Sequence, residues 1–339
     1  KFDLSNLTLE KMISNLLNNL NHLEKSWVYN QYDSTVMGDT VKEPGQATGI
    51  VKLHDSQKVI GASTDCNPLY IRINPELGMI YTVAEAYRNL IASNIKPMAI
   101  TNNLNFASPL DPNIMGEIVL SVNGLKISAS QLDTPIVSGN VSLYNQTNDA
   151  PINPTPVIGM VGSNSNINKI VSNKFQSEGD IIISIGENID PHKSPYFLQD
   201  QEIVEDINLY NELENINLED EKITAKILME ISDNNLLQSC NDISRGGIFM
   251  TLMKMIQKNY GFNIKASNDF ELFCEYKSGY VTTIKENNLK KVFALLDENK
   301  INYEEIGRVV IEEIKINSKN IDYFDIKDQY LNNFERIIN

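Results

Sequence analysis

The sequence predicts an α/β (α+β) chain of two domains, 1–163 and 164–339, each built from a mixed sheet and its helices. Three observations carry this expectation. The 339 residues exceed what one hydrophobic core usually serves. Short apolar runs of strand character alternate with segments of helical period along the whole chain. Residues 163–179 are polar, follow neither period, and separate one set of elements from the next.

Leu9, Met12, Ile13, Leu16, Leu17 and Leu20 recur at helical spacing and predict a helix over 9–20 with one buried stripe. Thr8 is its candidate N-cap, with Glu10 in the first turn. Strand-like runs follow at 49–53 and 58–63. The second helix spans 82–93, turns Val83, Ala86, Tyr87, Leu90 and Ile91 inward, and is stopped by Asn94 and Pro97. Residues 98–101 read as a buried strand and 102–112, with Pro109 and Pro112, as a loop. A third helix covers 115–130. Ile136-Val137 open a strand that the small polar residues "SGNVS" (138–142) close as a turn, and "PTPVIGMVG" (154–162) is a further strand. Beyond the polar break, "DIIISIG" (180–186) starts the second set, followed by a helix at 222–231. In "CNDISRGGIFMTLMKMIQK" (240–258), Ile248, Phe249, Leu252, Met253 and Ile256 form one helical face. Strands at 262–264 and 279–284 and a helix at 288–296 complete the reading.

Composition excludes several classes. Apolar residues make up 42%, enough for ordinary cores. A formal charge of −15 and a pI near 4.7 argue against a nucleic-acid surface and against an anionic membrane. They leave room for a nucleotide, because Mg²⁺ can sit between carboxylates and phosphates. Cys66, Cys240 and Cys274 are scattered, with no metal spacing, as in a protein of a reducing cytosol. No apolar run approaches the roughly 18 residues of a membrane span, and no signal peptide is visible.

The usual catalytic signatures are missing. His22, His54 and His192 lie apart, and His22 reads as a helix-end or surface residue. There is no Walker loop and no G-x-G-x-x-G. What remains is a set of small-residue stretches. In "SGNVS", Gly139 permits close approach to the backbone, Asn140 offers an amide oxygen to a hard cation, and Ser142 can donate to a phosphate. The same residues also suit a plain polar turn. In "STDCNP" (63–68), Asp65 is either a metal ligand or the head of an Asx turn. "NDISRGG" (241–247) puts Ser244 and two glycines at a helix start, which suits an anion or a tightly packed cap.

Taken in order, "STDCNP", "AEAYRNLIASNIKPMAITNNLNF", "SGNVSLYNQT", "PTPVIGMVG" and "NDISRGG" resemble the C-terminal half of the phosphoribosylformylglycinamidine synthase family. The likeness covers nearly the whole chain and is strongest over 32–162. It extends more loosely to aminoimidazole ribonucleotide synthetase, selenophosphate synthetase and thiamine monophosphate kinase. It implies a barrel-forming A domain, whose sheet pairs across a dimer or pseudo-dimer, and an α/β sandwich B domain. It also implies an ATP- and Mg-dependent carbon–nitrogen ligase of purine biosynthesis. In that reaction ATP activates the formyl amide oxygen of formylglycinamide ribonucleotide, and glutamine-derived ammonia displaces phosphate. Carried over, Gly139 contacts ATP, Asn140 ligates Mg²⁺ and Ser142 holds the substrate. Asn102 stands at an ATP-contacting position that is usually Asp.

Departures from the family narrow this further. The first half of such enzymes carries a histidine in a "THNHP"-like motif, where this chain reads Thr64-Asp65-Cys66-Asn67-Pro68. The B-domain motifs "GSEY" and "FSESQGR" stand here as Ser194-Pro195-Tyr196 and as 273–279. The resemblance therefore implies a second copy with no catalytic residue of its own, in which Asp65 and Ser244 are structural. It implies as partners the N-terminal half, a glutaminase and a small accessory subunit, a cytoplasmic location, and a homodimer when the chain is isolated. Neither a nucleic acid nor a membrane is expected as partner. A self-dimerising relative such as selenophosphate synthetase lacks support, since no reactive N-terminal Cys or glycine-rich leader is present. The alternative from another class is a non-catalytic nucleotide-binding or structural half that assembles with a separate N-terminal chain.

Overall fold

A computed structural model describes residues 2–148, 150–204, 206, 210 and 213–339. The helices are α1 Leu9–Leu17, α2 Ser26–Tyr29, α3 Pro68–Ile73, α4 Pro75–Ala92, α5 Pro112–Gln131, α6 Pro195–Asp200, α7 Leu218–Asp233, α8 Gly247–Met255, α9 Leu289–Glu298 and α10 Tyr323–Ile338. The strands begin with β1 Thr40–Lys42, β2 Gly49–Lys52, β3 Val59–Asp65, β4 Lys96–Asn105, β5 Ile136–Ser142, β6 Gln146–Thr147, β7 Ala150–Pro151 and β8 Val157–Asn164. They continue with β9 Ile181–Asn188, β10 Leu237–Asp242, β11 Tyr260–Ile264, β12 Tyr276–Ile284, β13 Tyr303–Ile311, β14 Ile314–Ile316 and β15 Lys319–Ile321.

The first sheet runs β1-β2-β3-β8-β4-β5 and is antiparallel except for the parallel pair β4/β5. One face packs Ile50, Ile100, Ile158 and Met160 against Val83, Leu90 and Ile91 of α4 and Leu125 of α5. The other face is bare, with Val51, Met98 and Val161 exposed. β5 is the outer strand, and nearly all of it is exposed.

Two sequence expectations fail at this edge, and for one reason. Residues 102–105 form strand where a loop was expected, and "SGNVS" continues β5 where a turn was expected. Small polar residues tolerate a strand that leans on a neighbour's ladder and faces solvent; composition alone does not separate this from a turn. The turn comes later, where Tyr144 takes φ 61°. The α4 helix also starts earlier than its apolar stripe. Pro75 opens it and the Asn74 side chain accepts from Leu77 N at 3.0 Å. Gly78 interrupts the stripe because a Cβ there would lie 2.4 Å from Ile71 N of α3.

The second sheet runs β10-β12-β9-β13-β11-β14-β15. Its strand β9 is apolar on both faces and is covered on both. Ile181, Ile183 and Ile185 pack with Leu228 of α7 and Val292 of α9, while Ile182 packs with Phe249 of α8. The N-terminal helix joins this second layer, since Leu9, Met12, Ile13 and Leu16 share a core with Phe249 and Met253. A division at 163/164 is thus our proposal from β1 onward, and α1 crosses it. The expected break at 163–179 is a packed connection. Phe175 is buried, Asn173 Nδ2 donates to Cys240 O at 2.7 Å, and Asn241 Nδ2 donates to Asn173 O at 2.7 Å. Its polarity serves buried hydrogen bonds.

Candidate functional site

The β4/β5 pair sets the geometry of "SGNVS". Thr101 pairs with Ser138, Asn102 with Gly139, Asn103 with Asn140 and Asn105 with Ser142. Directly paired residues share a face, and successive residues alternate faces. Asn140 and Ser142 therefore lie on the bare face with Asn103, and Gly139 lies on the opposite face with Asn102. The register shifts between Ile100 and Thr101, so Val137 is an extra residue on β5, a bulge that re-aims the side chains after it.

Side chains fix this arrangement. Ser138 Oγ donates to Thr101 Oγ1 at 2.7 Å, and Asn140 Nδ2 donates to Asn103 Oδ1 at 2.8 Å. Ser142 Oγ donates to Asn145 Oδ1 at 3.2 Å, and Asn145 Nδ2 donates to the carbonyls of Ser142 and Phe106 at 2.9 and 3.0 Å. A Cβ on Gly139 would lie 2.6 Å from Asn102 Oδ1, so the Asn102 side chain occupies the space that glycine leaves. The strand edge thus offers an amide oxygen and a half-buried hydroxyl on one face, a bare backbone at Gly139 on the other, and the backbone groups of an outer strand between them. Such an edge can accept a polyphosphate or a cation brought by a second surface.

A second constellation lies between the two layers. A cavity of about 490 Å³ is lined by Asp65 at the end of β3, Glu85 and Asn89 of α4, Asp242 at the end of β10, and Ser244. Asn89 Nδ2 donates to both Asp65 carboxylate oxygens at 3.1 Å. Burial, then the neighbouring Glu85 and Asp242, pushes the Asp65 carboxyl well above its ordinary range. Burial and Asp242 raise Glu85 to about 7. Asp242 Oδ2 is buried without a partner among the described residues. Among the described residues no three His, Cys, Asp or Glu side chains are placed to hold a metal ion. Burial and mutual charge thus favour the protonated forms of Asp65 and Glu85. The structure brings Asp65 and Ser244 into one cavity; the sequence reading missed Glu85, Asn89 and Asp242. The available signal was Glu85 and Asn89, two polar residues four apart on a helix of buried apolar positions.

The histidine reading needs correction. His22 is buried, and its Nε2 meets Asp200 Oδ2 at 2.7 Å, while Arg245 pairs with the same carboxylate. Burial lowers the His22 pKa against the pull of Asp200. The partner lies 178 residues away, so no local pattern announces it. Ser194-Pro195-Tyr196 and 273–279 come together at Glu275. Its carboxylate accepts from the Ser194 hydroxyl, from Tyr196 N at 3.0 Å and from the Tyr70 hydroxyl of α3 at 2.8 Å. Cys66, Cys240 and Cys274 are free thiols, the last two buried. No helix of the described residues is long and apolar enough to cross a membrane.

Comparison with known proteins gives a consistent picture. The profile of the AIR synthase related protein N-terminal domain matches residues 45–163, and that of the C-terminal domain matches 177–316. The phosphoribosylformylglycinamidine synthase subunit PurL of Pelagibacter ubique is 36% identical over 319 residues, covering 92% of this chain and 43% of the relative. The PurL of Sulfurovum sp. is 34% identical over 331 residues, covering 95% of this chain and 44% of the relative. Thermotoga maritima PurL complexed with FGAR superposes with a TM-score of 0.75 at 13% identity, covering 95% of this chain and 53% of that one. PurLQS from T. maritima gives 0.61 at 20% identity, covering 85% and 41%. At these identities the structural likeness is one of fold. The chain spans less than half the length of these curated relatives.

Proposed function

The chain belongs to the AIR synthase related family, whose two domains it carries in order, and from that premise we propose that it acts as the C-terminal half of a phosphoribosylformylglycinamidine synthase. The reaction is the ATP-dependent conversion of formylglycinamide ribonucleotide to its amidine with glutamine-derived ammonia. The observation that carries the reading is the β4/β5 edge, where Gly139 and Asn140 stand exposed and Ser142 half-buried beside Asn102 and Asn103.

In this reading the bare backbone at Gly139 and the Asn102 amide meet ATP. Ser142 turns its single hydroxyl proton from Asn145 Oδ1 to the phosphate of the ribonucleotide, while Asn145 Nδ2 continues to donate to Ser142 Oγ at 3.1 Å. The Asn140 Nδ2 is committed to Asn103, and its Oδ1 has no partner among the described residues. That oxygen suits Mg²⁺, which prefers oxygen ligands and would need further ones from outside this edge. When bound, the ion offsets charge on the transferring phosphoryl group. The residues of this chain position the reactants, and the proton acceptor belongs to the complementary N-terminal half. A glutaminase and a small accessory subunit complete the assembly, in the cytoplasm. Isolated, the chain covers the bare face of its first sheet with a second copy.

The test is Asn140→Leu in the enzyme with both halves present. We expect kcat/KM to fall at least about tenfold, worth about 1.4 kcal/mol, with unchanged circular dichroism. Unchanged kinetics in a folded variant return "SGNVS" to an ordinary strand edge. A non-catalytic nucleotide-binding half is the second reading. The stretch Thr64–Pro68 holds no histidine, which favours it.

A further inference from the structure

The geometry points to Asn103 as the residue that positions Asn140, by holding its amide so that Oδ1 faces outward. This inference rests on the proposed role of Asn140 as an oxygen ligand. A side-chain amide has one end that accepts and one that donates, and only the accepting end can bind a cation. Free rotation about the terminal torsion presents both ends. Here the choice is made by the neighbouring strand. Asn140 Nδ2 donates to Asn103 Oδ1 at 2.8 Å, which turns Asn140 Oδ1 away from Asn103. The two residues are direct partners in the β4/β5 register, and two positions back the Ser138–Thr101 hydrogen bond at 2.7 Å pins the same register. The Asn105 amide donates to Asn103 O at 3.0 Å and Thr155 O at 2.9 Å, so the backbone carrying Asn103 is itself held. Asn103 touches neither nucleotide nor ion in this account; it acts through Asn140.

The experiment uses the enzyme with both halves present and measures binding of a non-hydrolysable ATP analogue by calorimetry across a Mg²⁺ titration, separately from turnover. Four variants are compared with the parent: Asn140→Ala, Asn103→Ala, Asn103→Asp and the double Asn103→Ala/Asn140→Ala. Both side chains are exposed, so urea midpoints should match the parent and exclude a folding defect. Asn103→Ala should raise the half-saturating Mg²⁺ about three- to tenfold. Asp can only accept when ionised, so Asn103→Asp keeps Asn140 donating and should stay within about twofold of the parent. In the Asn140→Ala background the Asn103→Ala substitution should add nothing, the signature of two residues acting as one unit. If Asn140→Ala raises the Mg²⁺ requirement but Asn103→Ala does not, the positioning role is overturned and the ligand role stands. If the Asn103→Ala effect persists in the Asn140→Ala background, residue 103 meets the ion or nucleotide directly and the inference is again overturned. If Asn140→Ala itself leaves Mg²⁺ dependence unchanged, the proposed ligand role fails and takes this inference with it.

Discussion

Arg88 Nη1 of α4 donates to Glu221 Oε1 of α7 at 2.8 Å, with both side chains almost wholly out of solvent. The same carboxylate oxygen accepts from Ser278 N at 2.9 Å. One buried ion pair thus ties the helix that backs the first sheet to a helix and a strand of the second layer. Burial pushes the Glu221 carboxyl up, and Arg88 holds it down.

Removing one partner strands the other charge. Glu221→Ala should cost about 3–5 kcal/mol, read as a lower urea midpoint with an unchanged slope. Replacing both, as Arg88→Met with Glu221→Leu, should recover much of that loss, because no uncompensated charge remains. A double variant as unstable as the single one would show that the pair's geometry, and not its charge, matters.

Gly139 has a local reason to be glycine. Gly139→Ala places a methyl 2.6 Å from the present position of Asn102 Oδ1. The Asn102 side chain can swing aside, so the fold should hold, while nucleotide affinity drops about three- to tenfold. Asn102→Ala, which removes the amide that meets ATP, should lower affinity as well. Fluorescent-nucleotide titration reads both; unaltered affinity in Gly139→Ala would separate this position from nucleotide binding.

The crowded carboxyls of the interlayer cavity predict a pH effect. Glu85 titrates near 7 in the folded chain, above its ordinary 4.5. The folded state therefore binds more protons than the unfolded state between these values, and its stability falls as pH rises through that window. Asp65 is shifted in the same direction. Glu85→Gln removes the charge and should flatten the profile. At pH 8 the variant should be about 1–2 kcal/mol more stable, a figure reduced from the full shift because Glu85 faces the cavity. Thermal melts between pH 5 and 8 test this. A parent whose melting temperature rises across that range would contradict it.

The periodic elements are legible in the sequence: α1, α8 and α9 each show an apolar stripe, and the isoleucine run of β9 reads as a strand buried on both sides. β10 and β13 to β15 were not read, because β10 is buried almost throughout without alternation and β14 and β15 are only three residues each. The edge residues Gly139, Asn140 and Ser142 stand out by their chemistry and take their roles from motif likeness, yet their small polar side chains suit a turn as well as the strand they form. Asp65 and Ser244 are each visible singly in the sequence. Their meeting with Glu85 and Asp242 depends on long-range packing of β3, α4 and β10, which no local pattern records.

The bare sheet face predicts association. Val51, Met98 and Val161 are exposed on it, and Val137 and Val141 are exposed on the edge strand beside it. Light scattering of the isolated chain at about 100 μM should give a dimer, since even micromolar affinity populates one. Val161→Asp should return it to monomer without unfolding it. A dimer that survives Val161→Asp would locate the contact elsewhere.

The most direct measurement is ATP-dependent amidine formation from formylglycinamide ribonucleotide with ammonium ion, run on this chain alone and on the chain joined to its complementary half. The account predicts no turnover by the chain alone. Joined, it predicts turnover within the range usual for enzymes, about 1 s⁻¹ or more. Turnover at that rate by the isolated chain would contradict it.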